Sequence, residues 1–172
     1  MKTLLRVIFG CLLLLIECGF GLGQSPAGPI EVTLCELYQH PEDYARKIIK
    51  VRGGSISGRG IDDLMHDSKA VPCPTYMRIV VVFPDQVKPA PDFQLVRDES
   101  FEKLEDALNS KGPTHIDATY EGRFDAGFAW RNKERIRVGG YTGKGYGKKH
   151  FYDSQIVLQR VSNVWAMPLP HR

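Results

Sequence analysis

Residues 77–83 read Met-Arg-Ile-Val-Val-Val-Phe, and no other stretch restricts the fold of this chain as strongly. Consecutive β-branched side chains favour extended backbone, and a strand that is apolar on both faces needs cover on both sides. The chain must therefore build a sheet with this strand well inside it. Its 172 residues, 42% of them hydrophobic and 25% charged, supply enough apolar material for one core. The same composition excludes a disordered tail, a collagen-like rod, a coiled coil and a multi-span membrane protein. A formal charge of +3 is too small to demand nucleic acid as a partner.

The first residues read as an export signal, assigned here to 1–23. Lys2 and Arg6 precede a short apolar run, Val7–Ile16, and Gly21-Leu22-Gly23 offers small residues for cleavage before Gln24. Lipid attachment at Cys18 is the alternative, disfavoured because Glu17 stands where lipoprotein signals carry a small residue. The expected location is secreted or periplasmic, with a lipid-anchored envelope protein as the alternative. Past the leader only Cys35 and Cys73 remain, and an isolated pair in an oxidising compartment is most simply a disulfide. A redox or metal-binding pair would sit closer, as in Cys-x-x-Cys.

Residues 24–30 form a Pro/Gly-containing linker, and 31–172 one domain. Thr33 and Glu36 have capping-box spacing before Leu34, Leu37 and Tyr38, which predicts a short helix ending at His40-Pro41, with one further turn over Pro41–Tyr44. Ile48–Ile56 predicts a first strand, with a bulge at Gly53-Gly54 to return Ile56 to the inner face. A weak second strand follows over Gly60–Asp67, and residues 77–83 are the third. Phe101, Leu104, Ala107 and Leu108 form one stripe of a helix capped by Ser100. His115–Glu121 alternates as a fourth strand, Asp125–Lys149 reads as a long loop, and Ser154–Trp165 is a fifth strand with a parity change before Val161. Trp165 is expected in the core. The fold class is mainly β with two helices: a five-stranded OB-like barrel of order β-β-β-α-β-β after a short N-terminal helix. Ile49, Val51, Ile79, Val81, Ile116, Ala118, Ile156 and Leu158 should share one interior.

The stretch Cys35-Glu-Leu-Tyr-Gln-His-Pro-Glu-Asp-Tyr44, running into Lys47-Ile-Ile-Lys-Val-Arg-Gly53, resembles the opening of small exported bacterial proteins with an OB-like (tRNA-anticodon-binding-like) domain. Leu64–Cys73, and Phe151–Val164 with its Gln-Ile-Val-Leu-Gln core, resemble later parts of the same pattern. The resemblance implies a fold and an envelope location rather than a reaction, since fold alone does not assign function.

The feature that points to function is a basic segment. Between positions 131 and 149, Arg131, Lys133, Arg135, Arg137, Lys144, Lys148 and Lys149 oppose only Glu134, a local charge of +6. Tyr141, Tyr146, Phe151 and Tyr152 interleave with glycines, and cations beside stacking rings suit a polyanion or a sugar-bearing surface. Arg131, Arg135, Arg137, Tyr141, Lys144, Tyr146, Lys148 and Lys149 are the candidate ligand-binding residues; a solvated loop that keeps an exported protein soluble is the plain alternative. Asp62, Asp63, His66 and Asp67 lack the spacing of a calcium loop and read as a polar hairpin, so no metal or cofactor is assigned. No Gly-x-Ser-x-Gly occurs, and a disulfide leaves no thiol nucleophile. The expectation is a non-enzymatic binding module for an anionic or carbohydrate ligand. A structural envelope protein making protein contacts is the alternative. A carbohydrate-active enzyme, with Asp117, Glu121 or Asp125 as its only available carboxylates, is weaker still.

Overall fold

The computed structural model describes residues 28–57, 73, 78–147 and 150–170. Strand β1 (Ile30–Glu31) leads into helices α1 (Leu34–Gln39) and α2 (Pro41–Tyr44), then β2 (Ile48–Ser57) and β3 (Ile79–Val82). After a 3-10 turn over Pro84–Gln86 come α3 (Glu99–Leu108), β4 (Thr114–Ala126), β5 (Phe128–Arg131), β6 (Glu134–Arg137) and β7 (Ser154–Pro168). Local chemistry explains the helix ends. Thr33 Oγ1 accepts from the Glu36 N–H while the Glu36 carboxylate accepts from the Thr33 N–H, completing the predicted capping box of α1. Asp98, not Ser100, caps α3, accepting from the N–H groups of Ser100 and Phe101, each at 3.1 Å.

The strands form a five-stranded mixed sheet of order β1-β2-β4-β7-β3 and a separate β5-β6 hairpin. β3 runs parallel to β7, and β4 pairs antiparallel with both β2 and β7. All eight residues expected in one interior lie in one apolar cluster, together with Leu34 and Leu37 of α1 and Phe101 and Leu104 of α3. Burying each large apolar side chain of this cluster contributes roughly 1.5–3 kcal/mol. Cys35 and Cys73 are disulfide-bonded, their Cα atoms 5.5 Å apart, which fastens α1 to the chain that enters β3. The bond is consistent with an extracytoplasmic location. No helix among the described residues is long and apolar enough to cross a membrane.

Among the described residues β3, expected well inside a sheet, stands at its edge beside β7 alone, and four further expectations need correction. Gly53-Gly54 makes no bulge: β2 pairs residue for residue with β4 from Ile48 to Ser57. Ser55 is therefore buried and Ile56 is 47% exposed. Gly54 instead admits the His115 ring, which would crowd any side chain there. The irregularities fall in β7, where the pairing jumps from Leu158 to Arg160 and from Ser162 to Trp165, with Asn163 in the left-handed region at φ 53°. The first jump turns Val161 inward, as the parity change in sequence predicted. Trp165 is not core: β7 runs past the interior, leaving Trp165 52% exposed against the edge of His115. The long loop after β4 is interrupted by the β5-β6 hairpin, whose Asn132-Lys133 turn has positive φ at both residues (51° and 67°), the backbone of a tight two-residue hairpin. Finally, helices α1, α2 and α3 replace the two counted for the fold class. The export signal, Cys18, the predicted strand Gly60–Asp67 with its acidic cluster, Lys148 and Lys149 lie outside the described residues.

Candidate functional site: a basic hairpin beside a charged cavity

β4 carries the chain out of the sheet at Ala126, and Gly127 turns it into the hairpin. A side chain at Gly127 would run into the rings of Tyr141 and Tyr146 and the carbonyl of Asp153, so only glycine lets these groups close on the backbone. The N–H groups of Gly127 and Phe128 both donate to the Asp153 carbonyl, and Val138 N–H donates back to the Gly127 carbonyl. The base of the hairpin is thus stitched to the start of β7, while residues 131–137 are exposed.

The candidate cations divide into two groups. Arg131 pairs with Glu42 of α2, and Arg135 donates to the buried carboxylate of Asp153 at 2.7 Å while its guanidinium lies 3.7 Å from the centre of the Phe128 ring. Both hold the hairpin in place. Lys133, Arg137 and Lys144 make no ion pair among the described residues and stand exposed. The candidate aromatic residues are also mainly structural. Tyr141 and Tyr146 stack with ring centres 5.1 Å apart, Tyr141 meets the edge of Phe128 at 5.4 Å, and Tyr141 Oη bridges both the N–H and the carbonyl of Gly145. Tyr152 is buried, whereas Phe151 is 55% exposed.

Behind these tyrosines lies a cavity of about 330 Å³. Five segments meet there: Ala45-Arg46 before β2, Val87–Pro89 after β3, Arg123–Ala126 at the end of β4, 138–142 with Tyr146 from the loop, and Gln155 of β7. Gly139 and Gly140, with φ of 55° and 74°, turn the loop back over the cavity, closed by a bond from Tyr141 N–H to the Val138 carbonyl. Inside, the Arg123 guanidinium grips Asp125 with two bonds of 2.8 and 3.1 Å, and Gln155 Nε2 donates to the same carboxylate at 2.9 Å. The Asp125 carboxylate holds the Arg123 guanidinium above its usual range. Burial, reinforced by Tyr141 and Asp125, raises the Tyr146 phenol, while Arg46 and Arg123 pull it the other way; the hydroxyl stays protonated through the physiological range.

Arg46 is the unexpected member. It holds φ 66°, a conformation that non-glycine residues rarely adopt, and its N–H donates to the Phe124 carbonyl at 2.7 Å. Sequence reasoning named none of Arg46, Lys88 and Arg123 as site residues, because they lie in three segments far apart in the chain and no local pattern links them. Asp125 was singled out only as an available carboxylate. Asp117, singled out with it, is held by Arg52 at 2.9 Å on the outer face of the sheet. Among the described residues, no three His, Cys, Asp or Glu side chains gather to hold a metal ion. Comparisons with protein-family models, curated proteins and solved structures return no match.

Proposed function

We propose that this chain is an exported, OB-like binding module that holds an anionic polymer through the β5-β6 hairpin and the loop after it. The observation that carries the reading is the exposure of Lys133 and Arg137 on the hairpin and of Lys144 in the loop after it, while the hairpin's other arginines are already satisfied by Glu42 and Asp153. Cations without local partners are the ones that can exchange counterions for a polyanion. The OB-like reading draws support from the described sheet, in which β2, β4, β7 and β3 form a continuous strip. The test is retention on heparin or dextran sulfate as salt rises. Binding should weaken steeply with salt, and Arg137→Ala with Lys144→Ala should lower the log–log slope by about one per cation removed. An unchanged slope rejects the site.

A second reading, protein–protein contact, is favoured by one observation at the end of β4 remote from the hairpin. Ile56, Trp165 and Met167 are 47, 52 and 45% exposed, and register sets them beside His115. It expects a stable oligomer or co-purifying protein that Trp165→Ala disrupts, with no salt-sensitive anion binding.

A further inference from the structure

We infer that the cavity behind the hairpin is a subsite for one acidic sugar unit, a hexose ring bearing a carboxylate. The inference rests on the anionic-ligand reading above and names the chemistry that the exposed cations alone cannot select.

Charge bookkeeping around the cavity decides the class. Arg123 is already neutralised by Asp125 through two hydrogen bonds, so the uncompensated positive charge belongs to Arg46 and Lys88. One negative group therefore suits the cavity, at the side of those two residues. A bare inorganic anion is poorly served, because the buried Asp125 carboxylate faces the same space and repels it. That carboxylate accepts three N–H bonds, two from Arg123 and one from Gln155, which leaves about one of its four acceptor positions for a hydroxyl donor. The Tyr146 phenol and the Thr142 hydroxyl add groups that both donate and accept. Val138 and the tyrosine ring supply apolar wall. A ligand that is anionic at one end and hydroxylated along its ring satisfies all of these at once. A volume of about 330 Å³ lies at the small end of ligand pockets, room for a single ring rather than a chain.

The backbone at Arg46 is an independent observation. A left-handed arginine is strained where glycine or asparagine would not be, and such residues persist at binding sites when the surrounding structure enforces them. Here the enforcing contacts are Arg46 N–H to the Phe124 carbonyl and Phe124 N–H to the Lys47 carbonyl, which hold the arginine at the cavity lip.

The experiment uses the exported protein and titration calorimetry or ligand-observed NMR with D-galacturonate, D-galactose, acetate and inorganic phosphate. Galacturonate should bind at least tenfold more tightly than any of the other three. Arg46→Asn with Lys88→Gln, both exposed and the first relieved of left-handed strain, should weaken galacturonate at least tenfold at a melting temperature no lower than that of the wild type. Arg137→Ala with Lys144→Ala should leave galacturonate binding unaltered. Equal binding of galacturonate and phosphate, or of galacturonate and galactose, overturns the inference. So does the absence of monosaccharide binding by a protein that still holds dextran sulfate, a result that leaves the polymer reading standing. Galacturonate binding without salt-sensitive polymer binding rejects the hairpin instead.

Discussion

Removing the disulfide by Cys35→Ala and Cys73→Ala should destabilise the protein by about 4 kcal/mol, acting mainly on the unfolded chain. The bond closes a loop of 38 positions. Without it the unfolded ensemble gains about 13 cal/mol/K, or about 3.9 kcal/mol at 25 °C on the chain-entropy model. The native side adds little: Cys35 is half-buried on α1, and Cys73 only borders the apolar cluster. Urea unfolding of the oxidised protein and the double variant measures the difference directly. The slope with denaturant should rise as well, because an unlinked chain exposes more surface when it unfolds. In a thermal scan the same loss lowers the midpoint by roughly 8–16 °C. Against a typical total of about 5–15 kcal/mol, this would leave a marginal fold. A loss below about 1 kcal/mol with an unchanged slope would refute the reasoning, since it would mean that the link does not constrain the unfolded chain. Reduced wild-type protein should match the double variant.

Arg135→Ala, which takes a guanidinium away from the buried Asp153 carboxylate, should cost about 2–3 kcal/mol in urea unfolding and loosen the hairpin by hydrogen exchange. Gly122→Ala should cost about 3 kcal/mol or more, because the new methyl would overlap the Val157 carbonyl in the neighbouring strand, where only backbone could give way. The Thr33 hydrogen bonds hold the Glu36 carboxyl below its ordinary 4.5, so its contribution is complete above that pH and lost as pH falls beneath it; Glu36→Gln should flatten the acid limb of a stability–pH curve. Arg46→Gly should raise stability by about 0.5–1 kcal/mol in urea unfolding, the relief of left-handed strain less the extra freedom of the unfolded glycine, while weakening acidic-sugar binding.

What the sequence disclosed, and what it hid, follows from how local each signal is. The alternation from His115 to Glu121 shows β4 because one face of that strand is buried and the other wet. The Thr33/Glu36 spacing shows α1 because a capping box is complete within four residues. The β5-β6 hairpin left no such trace: residues 131–137 are all exposed, so no burial period runs through β6, and Asn132 in the turn was its only marker. The glycine pair in β2 misled because glycine serves a bulge and a close approach equally well, and only the position of His115 decides between them. Trp165 misled because a large ring at a strand end looks like core until the strand is seen to outrun the interior. The cavity was illegible for a different reason. Arg46, Lys88, Arg123 and Tyr146 lie far apart in sequence, and the sheet order that gathers them depends on non-local pairing.

One element joins the two parts of the candidate site. The end of β4 sets Arg123 and Asp125 in the cavity wall, fixes Arg46 through Phe124, and then passes through Gly127 into the hairpin. The hairpin cations act through water at long range, so they attract any polyanion and are weakened by salt. In the proposed reading the cavity groups act at hydrogen-bond range, where the nearly compensated Arg123–Asp125 pair would contribute little net attraction and would instead discriminate between ligands by shape and hydroxyl placement. On that proposal, capture and selection fall to different residues. Removing surface cations should change how fast and how salt-sensitively a polymer arrives, whereas altering Arg46 or Lys88 should change which polymer stays.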